Sequence, residues 1–160
     1  MDSITAILTL RDNLRTNLTD PYTTAGGSRG TGIQYIFYNE PVVSAKYPMI
    51  EMKKIDNPED IISIGPNYTS SEYVFLNLWC YAKNGFKVTA GGTEYVNSSL
   101  AEYIQVQIKN IMKTQFSTLF DAGIIVTTMN TTPVDYNPIT QLYFGAVTCR
   151  IWFFKGAQCA

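Results

Sequence analysis

The chain has 160 residues, of which 46% are apolar, 13% aromatic and 16% charged, and its formal net charge is −1. This length fits one domain spanning residues 1–160, and the apolar fraction excludes an intrinsically disordered chain. The small net charge is not that of a general binder of nucleic acid or of anionic membranes. Histidine is absent, which removes the commonest general base and metal ligand. We therefore expect no enzyme and no cofactor.

The first elements are a helix and two strands. Apolar residues recur at helical spacing over residues 3–18, with Ser3 as the expected N-cap. A glycine-rich segment, residues 23–32, separates this helix from strands predicted over residues 33–39 and 47–55. The polar residues 56–71 that follow are predicted to form a long exposed connection.

Residues 72–83 give the strongest strand signal. Both of its alternating faces are apolar or aromatic, with Leu76 and Leu78 on one side and Phe75 and Trp79 on the other. Such a strand is typically covered on both sides. We therefore expect a helix on one face and another partner on the second.

The C-terminal half contains one long helix and two strands. Ser99 and Glu102 form a capping-box signature, and the apolar spacing predicts a helix from there to about Phe120. Gly123 is the expected C-cap, and strands are predicted over residues 124–130 and 142–155. Loops are predicted at residues 84–97 and 131–141.

The predicted order is α-β-β-β-α-β-β. Strands that cluster instead of alternating with helices favour an α+β fold. We expect a mainly antiparallel sheet of about four to five strands, with the N-terminal helix and the long helix packed on one face.

No set of residues has the spacing of a catalytic or metal site. The three cysteines, Cys80, Cys149 and Cys159, are too widely spaced for a zinc site and are predicted to be buried or incidental thiols. The adjacent acids Glu59 and Asp60 fit the first turn of a short helix better than an acid/base pair. The glycine clusters lack the Gly-Lys-Ser/Thr ending of a phosphate-binding loop. We predict no catalytic, cofactor-binding or metal-binding residue.

The sequence shows no feature of export or membrane insertion. The apolar stretch at residues 4–10 contains threonines and lacks a preceding basic segment, and no run reaches the ~18 apolar residues of a membrane span. Four Asn-x-Ser/Thr sequons, which begin at Asn17, Asn67, Asn97 and Asn130, are expected to be unmodified. Scarce charge and abundant Tyr, Thr and Asn are instead typical of a subunit that buries much of its surface in an assembly.

Three segments resemble the tail terminator (tail-completion, neck) proteins of tailed viruses. They are Tyr-Pro-Met-Ile-Glu-Met at residues 47–52, the aromatic strand at residues 72–83, and Ser-Ser-Leu-Ala-Glu-Tyr-Ile at residues 98–104. The resemblance implies a non-enzymatic virion protein, assembled in the host cytoplasm, that forms a ring, commonly a hexamer. Such a ring caps the tail tube protein, joins the head-side connector and lets DNA pass through its lumen, without a membrane partner.

A ring of identical subunits needs two different patches that meet head to tail. The candidates for the subunit interface are aromatic residues of the strand at residues 72–83 and of two loops: Tyr73, Phe75, Trp79, Tyr81, Tyr68 and Tyr136. The candidate basic residues of the lumen are Arg29, Lys53 and Lys54, for which a solvated face is the default interpretation.

Three alternatives remain open from the sequence. A tail tube or head-completion protein would share the fold class. A small-ligand-binding α+β module would enclose an apolar cavity near Phe75 and Trp79. An enzyme would need a cleft with perturbed carboxylates, for instance around Glu72 or Asp135.

Overall fold

The computed structural model describes residues 1–39, 46–55, 62–64 and 69–154, with only the backbone described at 62–64, 69–71 and 154. Within these residues the chain forms four helices and nine strands. In chain order they are α1 (Ser3–Asn17), α2 (Pro21–Thr24), β1 (Ile36–Tyr38), β2 (Met49–Ile55), β3 (Ile62–Ile64), β4 (Thr69–Lys83), β5 (Lys87–Ala90), β6 (Thr93–Val96), α3 (Ser98–Thr114), α4 (Phe116–Asp121), β7 (Ile124–Thr131), β8 (Asp135–Asn137) and β9 (Leu142–Phe154).

The main sheet is mixed, with the strand order β1-β2-β4-β9-β7. Strand β1 runs parallel to β2, and every other pairing in this sheet is antiparallel. The short strand β3 pairs with β4 beyond the end of β2, and β8 pairs with β9 beyond the end of β7. The predicted α+β fold is confirmed, although the parallel β1–β2 pair makes the sheet mixed and not purely antiparallel.

The N-cap of helix α1 lies one residue earlier than predicted. The side chain of Asp2, not of Ser3, caps the helix by accepting a hydrogen bond from the Thr5 amide at 2.7 Å. This bond lowers the pKa of the Asp2 carboxyl, because it stabilises the charged form. The buried face of the helix consists of Ala6, Ile7, Leu10 and Leu14, whereas Ile4 is exposed.

The predicted long helix is divided in two. Helix α3 ends at Thr114 and the separate α4 begins at Phe116. The expected capping box is wrong, because Asn97 precedes the helix without a side-chain cap and the Ser99 hydroxyl instead bonds the Val96 backbone. The turn at Gly123 has the positive φ of 86° expected for a C-terminal glycine.

A β-hairpin lies where the sequence analysis predicted only a loop. Strands β5 and β6 are joined by Gly91 and Gly92, which both have positive φ, as a two-residue hairpin turn requires. Glycine pairs are a known signal for such turns, so this hairpin was predictable. The short strands β3 and β8 also fall in predicted loops.

The core lies between the sheet and its two long helices. Strand β4 contributes a fully buried row on alternate positions, and the facing positions of β9 and the apolar faces of α1 and α3 complete it. The β4 row comprises Val74, Leu76, Leu78, Cys80 and Ala82. We call this side of the sheet the inner face.

Two of the three cysteines lie within this core. Cys80 and Cys149 are free and fully buried, as predicted, and Cys159 lies outside the described residues. Burial raises the pKa of both thiols, that of Cys149 to about 12. Neither thiol is therefore a nucleophile in the folded chain.

We predict that a Cys159→Ser variant reacts with a thiol reagent only as fast as it unfolds. Native protein at pH 8 should take up less than about a tenth of the reagent that the urea-unfolded chain takes up, because only thiolates react. Absorbance of the released chromophore measures the uptake. Rapid stoichiometric labelling of native protein would contradict the burial of Cys80 and Cys149.

Candidate subunit interface

Side chains that alternate with the core rows form the opposite surface of the sheet. We call this surface the outer face. Its central two strands contribute Tyr73, Phe75, Asn77, Trp79 and Tyr81 of β4 and Phe144, Ala146, Thr148, Arg150 and Trp152 of β9. All except Ala146 are only partly buried. Within the described part of the chain, both long helices pack on the inner face and none covers the outer one.

One end of the outer face holds an aromatic cluster around a cation. The guanidinium carbon of Arg150 lies 5.0 Å from the ring centroid of Phe75, 5.1 Å from that of Tyr73 and 5.4 Å from that of Trp152. The Tyr73 and Trp152 rings are themselves 4.9 Å apart. These contacts are cation–π interactions, which fix the arginine across its strand neighbours. We call these four residues the arginine cluster.

The arginine cluster leaves one hydrogen-bond donor unused. The Nε atom of Arg150 is buried and has no hydrogen-bond partner among the described residues. Arg150 also makes no ion pair within that part of the chain. A buried donor without a partner is costly, so the guanidinium of Arg150 favours an acceptor from beyond the described residues.

The middle of the outer face is polar and its other end is aromatic. The Thr148 hydroxyl donates to Asn77 Oδ1 across the strands at 2.7 Å. Beyond this pair, the Trp79 and Phe144 rings lie 6.0 Å apart. The two aromatic groups are therefore separated by one hydrogen-bonded pair.

A carboxylate of the neighbouring strand β2 borders the aromatic end. The Tyr81 hydroxyl donates to Glu51 Oε2 at 3.0 Å, and Lys53 Nζ lies 3.1 Å from Glu51 Oε1. Burial and the negative charge of Glu51 raise the pKa of Tyr81 well above its ordinary value. The same two causes raise the pKa of Tyr47, whose ring meets that of Tyr81 edge to face. These phenols therefore remain neutral donors at neutral pH.

An open groove runs along this end of the outer face. It has a volume of about 480 Å³. Its apolar wall and polar rim are formed by Trp79, Tyr81, Leu142, Phe144, Lys53, Asn137 and Thr140. A ligand-binding module would have an enclosed cavity near Phe75 and Trp79, whereas this groove is open and includes Trp79 but not Phe75.

The structure brings four of the six predicted interface residues together. Tyr73, Phe75, Trp79 and Tyr81 all belong to the outer face. Tyr136 pairs with Tyr143 on β9, whose side chain alternates with that of Phe144, so Tyr136 belongs to the other side of the sheet. Tyr68 lies outside the described residues.

The three basic residues predicted for a lumen do not form one surface. Arg29 is buried, donates to Asp20 Oδ1 at 2.7 Å, and also donates to the Lys46 and Pro48 carbonyls, so it stabilises the chain internally and is not part of a lumen surface. Lys53 and Lys54 are consecutive strand residues, and their side chains therefore leave opposite sides of the sheet. Only Lys53 belongs to the outer face.

Half of the outer face was missed from the sequence. Phe144, Arg150 and Trp152 of β9 were not selected, although the strand itself was predicted. The sequence does show that they are separated by even numbers of residues, six from Phe144 to Arg150 and two from Arg150 to Trp152, which places them on one face of the strand. What was lacking was the register that sets them opposite β4, which no local pattern supplies.

The described residues contain no group of three His, Cys, Asp or Glu side chains that is placed to hold a metal ion. They also contain no helix of the length and hydropathy needed to cross a membrane. No protein-family model matches the chain, and no curated protein matches it. The outer face therefore has to be interpreted from its own chemistry.

We predict that stability falls at alkaline pH in part because of Tyr81. Its pKa is raised in the folded chain, so the stabilisation is intact below the unfolded phenol's pKa of about 10 and is lost as pH rises above it. The Tyr81→Phe variant lacks the hydrogen bond to Glu51, so its free energy of unfolding at pH 8 should be about 1 kcal/mol lower than that of the parent. Between about pH 10 and 12 its stability should then decline less steeply than that of the parent.

Urea unfolding at a series of pH values measures both effects. Tyr136→Phe, which changes a more exposed phenol on the other side of the sheet, is the matched control and should follow the parent. Parallel pH profiles for Tyr81→Phe and the parent would contradict a role for Tyr81 ionisation.

Proposed function

We propose that this chain is a structural virion subunit, a tail terminator that forms a ring at the end of a tail tube and joins it to the head-side connector. The observation that carries the proposal is the outer face, which presents aromatic side chains on a sheet that no described helix covers. The resemblance of three sequence segments to tail terminator proteins supports the same assignment. The function would be geometric, without catalysis or a cofactor.

The composition of the outer face favours contact with protein. Tyr, Trp, Phe and Arg are the residues enriched in the buried centre of interfaces, where each aromatic ring contributes a large apolar area. The arginine cluster and the rings of Trp79 and Phe144 provide two such centres. At roughly 25 cal/mol per Å², covering several of these rings supplies several kcal/mol toward association.

The proposed ring also accounts for the small charged fraction of the chain, 16% of its residues. Residues of the outer face would be covered by neighbouring subunits, and the head-side connector and the tail tube would cover further surface. Lys53, the one lysine of the outer face that borders the groove, would remain near solvent at its rim. DNA would pass through the lumen without base-specific contact.

A closed ring separates a terminator from a tube protein. Both assemble through repeated head-to-tail contacts, but a terminator closes its ring and stops, whereas a tube protein continues to stack into a filament. We therefore expect a single oligomer whose mass does not grow with protein concentration. Long filaments would favour the tube protein instead.

The groove beside Trp79 supports a second candidate function, that of a small-ligand-binding module. Its volume of about 480 Å³ lies within the range of ligand sites, and aromatic walls with a few polar groups are typical of them. The groove is open along the sheet surface, however, and enclosed sites bury most of their ligand. A strict monomer that binds a small apolar compound would favour this candidate.

We predict that two neighbouring residues of β4 have separable effects. Leu78 is fully buried on the inner face, so Leu78→Ala should lower the free energy of unfolding of the monomer by about 2–5 kcal/mol. Trp79 belongs to the outer face, so Trp79→Ala should weaken the oligomer at least about 30-fold with a smaller loss of monomer stability.

Native mass spectrometry over a dilution series measures the oligomer, and urea unfolding of the diluted monomer measures stability. The two variants serve as controls for each other because they change adjacent positions of one strand. A parent protein that is monomeric at high concentration would overturn the proposed ring.

A further inference from the structure

A second exposed aromatic surface lies on helix α4. Phe116 and Phe120 are 50% and 52% exposed, and their rings stack with centroids 6.3 Å apart. The exposed carboxylate of Asp121 follows directly, and it makes no ion pair with any residue that the structure describes. We call Phe116, Phe120 and Asp121 the helix patch. Exposure of two stacked phenylalanine rings to water is unfavourable in free energy for a subunit that remains monomeric.

The helix patch and the arginine cluster lie on opposite sides of the sheet. Leu119, the buried residue of α4, belongs to the core together with Ile124 and Phe153 of the inner face. Trp152 of the arginine cluster is the residue before Phe153 and leaves the sheet on the other side. The two surfaces therefore point in different directions near the same end of the molecule.

The two surfaces are complementary in charge and in chemistry. The arginine cluster has a cation framed by three rings and a buried Nε donor without a partner among the described residues. The helix patch has two rings beside a carboxylate. A carboxylate is the acceptor that matches a guanidinium best, and such a pair is stronger once water is excluded around it.

We propose that the helix patch of one subunit docks on the arginine cluster of the next copy of this chain. Phe116 and Phe120 would cover the rings of the cluster, and Asp121 would pair with Arg150. The contact is heterologous, because it joins two different surfaces, and repetition around an axis closes a ring. This inference rests on the proposed function and specifies one part of its subunit contact, the part at the arginine-cluster end of the outer face.

The first test measures the ring after changes to the helix patch. The double variant Phe116→Ala/Phe120→Ala and the single variant Asp121→Lys should each raise the dissociation constant of the ring at least about 30-fold. Because these side chains are exposed, the monomer should remain folded by circular dichroism. The matched controls are Val106→Ala and Glu102→Lys, exposed positions of α3, which should leave the ring unchanged.

The second test mixes two defective variants. Trp152→Ala disrupts the arginine cluster and leaves the helix patch intact, whereas the double phenylalanine variant disrupts the helix patch and leaves the cluster intact. Each variant alone should therefore be monomeric. Their mixture should form a one-to-one heterodimer, since one intact surface of each kind remains. If Trp152→Ala is unfolded, Arg150→Met replaces it, because methionine keeps most of the side-chain volume without the charge.

The outcomes separate the inference from the proposed function. A parent ring that persists in the helix-patch variants, or a mixture that gives no heterodimer, would overturn the pairing of these two surfaces while the ring itself stands. A monomeric parent would overturn the proposed function and the pairing together. Loss of the ring in the helix-patch variants with rescue as a heterodimer supports both.

Discussion

The antiparallel pairing of β4 with β9 is the constraint on which the rest of this structure depends. The two strands remain in register from Ser71 to Lys83, and every other strand of the main sheet joins one or the other, except β1, which pairs with β2. Because side chains alternate along a strand, this one register assigns each residue to a face. It places Leu78 in the core and Trp79 on the surface, and it brings Arg150 opposite Phe75.

The two faces of the sheet differ in composition and in role. The core of the inner face is apolar and is covered by α1 and α3, and this burial stabilises the monomer. The outer face mixes aromatic rings with one arginine, one Asn–Thr hydrogen bond and a bordering carboxylate. A surface of this composition gains from being covered but remains tolerable in water, which suits a subunit that folds before it assembles.

Arg29 and Arg150 differ in whether a described carboxylate pairs with them. Arg29 is neutralised by Asp20 inside the subunit, where it holds the glycine-rich segment against the residues that precede β2. Arg150 and Asp121 make no ion pair with any described residue. One arginine therefore stabilises the fold, and the other fits an intersubunit role, although the sequence around the two residues does not distinguish them.

Local sequence patterns determined the α+β class, most strand positions, helix α1 and the buried cysteines, because alternation and helical spacing depend only on neighbouring residues. They also selected Tyr73, Phe75, Trp79 and Tyr81. The tertiary structure alone decided that β1 runs parallel to β2, that Arg29 is buried, and that Trp152 and Arg150 complete the outer face. These features depend on register and on which element covers which face, and both are set by contacts between residues far apart in the chain.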